Sequence, residues 1–128
     1  IEDTGLVLGQ AIADALGTKD GIQRFGDASV PMDEALSRVT IDLSNRPYLV
    51  YNIPDDLKSR GVFDAYLAKE FFQALCVKGG FNLHINACYG VNEHHVLESV
   101  FKALGRSLHA ATRPNTLIGG ALSSKGSL

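Results

Sequence analysis

The stretch HHVLESVFKALGRSLHAAT, residues 94–112, decides the fold of this chain, because a similar pattern recurs at its opposite end. Residues 2–17, EDTGLVLGQAIADALG, share with it a glutamate, five residues, Leu-Gly, two residues and a branched aliphatic. Apolar residues recur at near-helical spacing in both stretches, so each is predicted to be a helix. We therefore expect two helices of one repeat family, with Glu2 near the start of the first and Glu98 near the start of the second.

The second helix carries a pair of histidines just before its glutamate. Side chains three and four residues apart lie on one helical face, so His94 and His95 can both present near Glu98. Adjacent side chains point about 100° apart on a helix, so the two rings can bind different ions. Imidazole nitrogens with carboxylate oxygens suit Mn, Fe, Zn, Co or Ni. A solvated helix start is the ordinary alternative, but the matching Glu2 frame favours a pair of related metal positions.

Length and composition set the class of protein. The chain has 128 residues, 45% of them hydrophobic and 20% charged, which is typical of one globular domain. Its net charge of −2 gives no electrostatic reason to expect binding to nucleic acid or to an anionic membrane. No apolar run approaches the roughly 20 residues that span a bilayer. Cys76 and Cys88 are too few for a disulfide framework, which favours a reducing compartment, and we expect a cytoplasmic protein.

Hydrophobic periodicity predicts alternating helices and strands. The predicted helices cover residues 3–17, 64–78 and 94–112, and the predicted strands cover 39–43, 48–51 and 81–88. Loops are expected over 18–30 and 54–61, a short helical turn over 31–36, and a tail over 113–128 with a short strand near 117–118. The first two strands read as a hairpin. Strands and long helices together predict an α/β (α+β) fold in two layers, with the sheet on one side and the helices on the other.

Several short motifs, taken in order, resemble those of imidazoleglycerol-phosphate dehydratase, an enzyme family of histidine biosynthesis. They are GIQRFG (21–26), PMDEAL (31–36), DLSNRPY (42–48), LHI (83–85), GVNEHH (90–95), FKA (101–103) and SSKG (123–126). The family's first metal motif, His-His-x-x-Glu-Asp, is represented only by its last residues, IED (1–3). The resemblance covers nearly the whole chain.

The resemblance implies a fold of two sheet-plus-helices repeats of the ribosomal-S5-domain-2-like type. Residues 1–17 are then the end of the first repeat, with its metal helix. Residues 18–128 are the second repeat, with its sheet, its metal helix and an anion-binding tail. The earlier part of the first repeat is expected to lie outside this chain. The catalytic base is expected there too, so no catalytic residue is named.

The resemblance also implies two Mn²⁺ ions per site, although other divalent metals are chemically acceptable. The implied ligands are Glu2, His94, His95 and Glu98. Glu70 stands where the family commonly has a further histidine ligand; a carboxylate also suits Mn²⁺, and the alternative is a solvated helical face. His84 is expected to be a packed or supporting histidine.

The phosphate and imidazole of the family's substrate give the remaining residues a role. The implied substrate-binding residues are Arg24, Arg46, His94, Lys102, Ser123, Ser124 and Lys125. Arginine, lysine and hydroxyl donors are what phosphate recognition requires. Asp33 and Glu34 are weaker candidates, because carboxylates at a helix N-terminus would explain them.

The function implied by the resemblance is that of a metal-dependent lyase. It would dehydrate imidazoleglycerol phosphate to imidazole-acetol phosphate, in a 24-mer built from trimers with sites between subunits. Two alternatives remain open from the residues. One is a dinuclear metal phosphoesterase, which would use the same ligands to activate water. The other is a non-catalytic metal-binding module of an oligomer.

Overall fold

The computed structural model describes residues 1–54, 57 and 65–128 of the chain. Helices and strands alternate within these residues. The elements are α1 (Glu2–Leu16), β1 (Phe25–Met32), β2 (Ala35–Asp42), β3 (Tyr48–Asn52), α2 (Ala65–Gly79), β4 (Asn82–Tyr89) and α3 (Glu93–Thr112). The three predicted helices are confirmed within one residue at each described end; position 64, the predicted start of the second, lies outside the described residues.

The strands form one mixed sheet in the order β1-β2-β4-β3. β1 and β2 are antiparallel neighbours, and β2 is antiparallel to β4. β3 and β4 are parallel, so a crossover connection must join them, and α2 lies within that connection. β4 therefore lies in the interior of the sheet, between β2 and β3. The chain passes directly from the end of β4 into α3.

One face of the sheet is buried against α2 and α3. Alternate residues along β2 and β4 point inward, so each strand supplies every second side chain to the core. The buried cluster comprises Val39, Ile41, Leu43, Ala68, Phe72, Leu75, Cys76, Phe81, Leu83, Ile85, Leu97, Val100, Ala103, Leu104 and Ala111. The opposite face carries polar side chains, among them Arg38, Thr40 and His84, all exposed. The predicted arrangement of a sheet on one side and helices on the other is confirmed.

α1 packs on α2 through glycines. Gly5 and Gly9 are both buried, and they lie one helical turn apart on the same face of α1. A Cβ added at Gly9 would lie 2.7 Å from the carbonyl oxygen of Leu75 in α2. Only glycine therefore allows the two backbones to approach this closely.

The predicted hairpin between residues 39–43 and 48–51 is wrong. β2 and β3 exist, but β4 lies between them and pairs with both. The segment Asn45-Arg46-Pro47 has turn residues, and Asn45 adopts a left-handed φ of 57°. The turn carries the chain past the position of β4 instead of folding it back on β2. Local turn chemistry cannot distinguish these two outcomes, because the decisive partner is almost 40 residues away in the sequence.

The loop predicted over 18–30 is correct only as far as Arg24, and the helical turn predicted over 31–36 is wrong. Residues from Phe25 form β1, and a tight turn at Asp33 and Glu34 leads into β2. Asp33 has a φ of 47°, which breaks any helix there. Pro31 is tolerated because β1 is at the edge of the sheet, where β2 is its one partner among the described strands.

The tail contains turns and bends instead of the strand predicted near 117–118. Leu117 is 94% exposed, so it has no packing to hold it in a sheet. One isolated bridge, between Ile22 and Pro114, ties the start of the tail to the segment before β1. The loop predicted over 54–61 falls almost entirely outside the described residues.

None of the helices in the described ranges is both long and apolar enough to cross a membrane.

Candidate functional site

The start of α3 brings the predicted metal-binding side chains together. Asn92 caps the helix, its side-chain oxygen accepting a hydrogen bond of 3.0 Å from the backbone N–H of His94. His94 Nε2 lies 3.3 Å from Glu98 Oε2, one turn along the helix. The His94 side chain is 78% exposed and that of Glu98 is 30% exposed, so this pair faces solvent. His94 and Glu98 therefore share one face of the helix.

His95 faces a different set of groups. Its Nδ1 lies 2.6 Å from Oε2 of Glu34, in the turn between β1 and β2. Its Nε2 lies 3.6 Å from Oδ2 of Asp33 in the same turn. The two adjacent rings are inclined at 61°, with centroids 6.1 Å apart. The two histidines thus present their nitrogens in different directions, as expected for neighbours on a helix.

Glu34 also fixes the loop that leads into α3. Its Oε1 accepts hydrogen bonds from the backbone N–H groups of Val91, at 3.2 Å, and Asn92, at 2.9 Å. The hydrogen bond from His95, followed by the one from the Asn92 backbone, lowers the pKa of Glu34 to about 2. The hydrogen bond to Glu34 raises the pKa of His95 above its ordinary value. Each group therefore favours the charged form of the other.

Glu98 has a second neighbour on the helix. Lys102 Nζ lies 2.6 Å from Glu98 Oε1, one turn further along. This hydrogen bond is the largest influence that lowers the pKa of Glu98. Glu98 is therefore an ionised carboxylate shared between an imidazole and an ammonium group, which keeps it in the form that a metal would require.

The other two predicted ligands lie on other helices. Glu2 is exposed at the start of α1, and Glu70 is half-buried on α2. Among the residues with described positions, no three His, Cys, Asp or Glu side chains are grouped so that they could hold a metal ion. Within the described part of one chain, Glu2 and Glu70 therefore do not form a metal site with the side chains of α3.

Most of the predicted anion-binding residues line one cavity of about 410 Å³. Its wall contains Arg24, Ser44, Asn45, Arg46, Ser123, Ser124, Lys125, Ser127 and Leu128. The backbone N–H of Lys125 donates to Ser123 Oγ at 3.2 Å, which closes a small turn in the tail. The structure thus gathers two arginines, a lysine and serine hydroxyls from segments far apart in the sequence.

Arg24 holds this cavity together. Its guanidinium donates to both oxygens of Asp42, at 2.7 and 3.1 Å, and to the carbonyl of Leu122 at 2.6 Å. It also lies over the ring of Phe25, 4.7 Å from the centroid. The side chain is only 12% exposed. Most of its donors are therefore used in anchoring the tail to the sheet, a role that the sequence did not indicate.

Lys102 and His84 lie elsewhere. Lys102 lines a separate groove between α3 and β1, where its Nζ lies 3.9 Å from Met32 Sδ. The predicted single anion site is thus divided, within one chain, between this groove and the tail cavity. His84 is exposed on the polar face of the sheet, so it is not a packed histidine, and the alternative supporting role stays a prediction.

The most important contact missed from the sequence is that between Glu34 and His95. The misassigned helical turn placed the two acidic residues Asp33 and Glu34 at a helix N-terminus. A two-residue polar pair between alternating segments is equally typical of a hairpin turn, and that signal could have found them.

The chain is similar to known proteins that belong to the family suggested by its motifs. The family model for imidazoleglycerol-phosphate dehydratase matches residues 1–108. A protein of that name from Trichlorobacter lovleyi is 54% identical over 128 residues, and one from Lacticaseibacillus casei is 52% identical over 126. These alignments cover 100% and 98% of the chain but 66% and 65% of the relatives, so the chain spans slightly less than two thirds of their length.

Solved structures give the same result. The dehydratase from Staphylococcus aureus superposes with a TM-score of 0.83 at 39% identity, covering 89% of this chain and 67% of that protein. The enzyme from Pyrococcus furiosus superposes with a TM-score of 0.87 at 37% identity, covering 99% and 69%. Sequence, fold and the order of motifs agree, and the chain belongs to the imidazoleglycerol-phosphate dehydratase family.

Proposed function

We propose that this chain is part of a metal-dependent lyase that dehydrates imidazoleglycerol phosphate to imidazole-acetol phosphate in histidine biosynthesis. The observation that carries the proposal is the start of α3, where His94, His95 and Glu98 are presented by one capped helix turn. Family membership supplies the substrate. A biosynthetic role, together with the two free cysteines, supports a cytoplasmic location.

The donor atoms at this helix start fit a divalent metal. Imidazole nitrogens and an ionised carboxylate are ligands that Mn²⁺ accepts, and we propose two Mn²⁺ ions per site, which other divalent ions could replace. We propose His94, His95 and Glu98 as one part of the ligand set, with Glu2 and Glu70 as ligands from other helices. Such ions would supply Lewis-acid polarisation and a template for the substrate. Within the chain, the hydrogen bond from Lys102 favours the ionised form of Glu98, and Glu34 fixes the orientation of the His95 ring.

We propose that the substrate's phosphate is bound by Arg46, Ser123, Ser124 and Lys125, in the cavity that Arg24 builds. The cavity offers ammonium, guanidinium and hydroxyl donors, which match the oxygens of a phosphate. Lys102 lies on the metal-binding helix, beside Glu98, and we propose that it contacts the substrate from there. We propose that His94, whose side chain is more exposed than that of His95, contacts the substrate as well as a metal.

We propose that α1 belongs to a first repeat and that residues 18–128 form the second. Side chains of α3 that bury against the sheet have exposed counterparts in α1. Val7 and Leu8 are 71% and 44% exposed, whereas the matching Ala103 and Leu104 are 0% and 9% exposed. In the same frame, Gly9 is buried on α2 while Gly105 is exposed. A second sheet over α1 and a second helix over α3 would make the two repeats equivalent.

We further propose that the chain assembles into a 24-mer built from trimers, with metal sites completed between subunits. The support is the incomplete set of ligands in the described part of one chain. Symmetric pairing resolves such a shortage, because a neighbour's residues can complete each site.

The reaction product tests the proposal against the phosphoesterase alternative. With the whole protein of which this chain is part, Mn²⁺ and imidazoleglycerol phosphate, we expect formation of a ketone that retains its phosphate. Mass spectrometry should show the loss of one water. Release of inorganic phosphate would instead assign the phosphoesterase reaction. Metal binding with neither product would leave the non-catalytic module and would overturn the proposed lyase.

A further inference from the structure

We propose that Glu34 is a positioning residue for the metal site: by accepting the Nδ1 proton of His95, it leaves His95 Nε2 free to bind a metal. The inference rests on the proposed function, in which His95 is a ligand. It assigns a role to a residue in the turn between β1 and β2, far from α3 in sequence and in contact with it in space.

The hydrogen bonds around Glu34 determine which ring nitrogen of His95 carries the proton. A carboxylate only accepts hydrogen bonds, so the 2.6 Å contact requires a proton on His95 Nδ1. The other oxygen of Glu34 is occupied by the backbone N–H groups of Val91 and Asn92. The carboxylate is therefore held from three sides, and its position relative to the imidazole is fixed by the backbone at the start of α3.

Fixing the proton on Nδ1 has a direct consequence for metal binding. The neutral ring then has its lone pair on Nε2, and a histidine that binds metal through one nitrogen usually donates from the other to a carboxylate or carbonyl. The hydrogen bond also fixes the plane of the ring. The His95 side chain is 23% exposed and its Nε2 lies 3.6 Å from Oδ2 of Asp33, so a metal bound at Nε2 would have a second carboxylate beside it.

Glu34→Gln is the sharpest variant, because it preserves shape and reverses the hydrogen bond. The amide has one oxygen, which should stay with the two backbone N–H groups of Val91 and Asn92. Its NH₂ group then faces His95 Nδ1 and donates to it. The ring must respond by carrying its proton on Nε2, the nitrogen assigned to the metal. The fold should survive, since the start of α3 keeps its acceptor.

Asp27→Asn is the matched control. Asp27 is an exposed carboxylate on β1, 3.5 Å from Arg38, and its side chain is 62% exposed. The substitution removes the same charge as Glu34→Gln without touching His95.

The test measures tautomer and metal affinity separately. Long-range ¹H–¹⁵N spectra of metal-free, ¹⁵N-histidine-labelled protein, at a pH where the ring is neutral, should show His95 protonated on Nδ1 in the wild type. The same spectra should show it protonated on Nε2 in Glu34→Gln. Zn²⁺ titration should give an affinity about ten- to a hundredfold weaker in Glu34→Gln. Asp27→Asn should match the wild type in both measurements.

Either an Nε2–H tautomer in the wild type or an unchanged tautomer in Glu34→Gln overturns the inference. A changed tautomer with unaltered Zn²⁺ affinity also overturns it, and in that case the error lies in the assignment of His95 as a ligand. Neither measurement depends on dehydratase activity, so failure of the proposed reaction is distinguishable from failure of this inference.

Discussion

Replacing Glu98 by glutamine should lower bound Mn²⁺ and dehydratase activity together. The substitution removes the charge that a divalent ion needs, although the amide oxygen still accepts a hydrogen bond from Lys102. A metal acting as Lewis acid contributes several kcal/mol to a reaction of this type, and roughly 1.4 kcal/mol corresponds to a tenfold rate. We therefore expect activity to fall by about a thousandfold, with metal content measured by inductively coupled plasma mass spectrometry on the same samples.

Asp14→Asn controls for the loss of one helical carboxylate. Asp14 is exposed on α1 and accepts a hydrogen bond from Gln10, remote from His94 and His95 in the sequence. It should retain both metal and activity. An unchanged metal content in Glu98→Gln would show that the ligand assignment is wrong, whatever the activity.

Chelation of the metal should shift the assembled particle toward smaller species. A metal held between subunits binds only the assembled state, so removing it withdraws the free energy that favours assembly. Sedimentation velocity with and without EDTA measures the change, and addition of Mn²⁺ in excess should restore the large particle. A monomer under both conditions refutes the shared-site arrangement; a large particle unaffected by EDTA shows that metal does not hold it together.

The helices were predictable from the sequence because their signals are local. In α3, the apolar positions Val96, Val100 and Ala103 recur at helical spacing, and all three are fully buried. Gly17 ends α1 as predicted, with a left-handed φ of 53°. Periodicity therefore sufficed wherever one face of a helix meets the core.

β1 and the pairing of the strands were harder to predict, because local periodicity does not define them. The hydrophobic alternation in β1 is weak, and the strand contains Gly26 and Pro31. Its pairing with β2 and its contact with α3 define it instead. A Cβ added at Gly26 would collide with the backbone carbonyl of Ser107, so glycine is required where the strand and the helix approach closely. Nothing in the local sequence of β1 indicates that approach.

In the candidate site, too, local contacts were predictable from the sequence and long-range contacts were not. His94 and Glu98 lie one turn apart on a single helix, so spacing alone brought them together. The contact between Glu34 and His95 joins residues 61 positions apart and required the hairpin turn to be placed correctly. The residues of the tail cavity could be predicted only through the family resemblance, because isolated residues such as Arg46 and Lys125 look like ordinary surface charges.

We propose that the start of α3 binds the metal through its histidines. Electron–nuclear double resonance on the Mn²⁺-loaded, ¹⁵N-histidine-labelled protein tests it directly, since only coordinated imidazole nitrogens give resolved hyperfine coupling. We predict ¹⁵N coupling in the wild type that is lost when His94→Ala and His95→Ala are combined. A wild-type spectrum without nitrogen coupling, or one that the double substitution leaves unchanged, would contradict metal binding by His94 and His95.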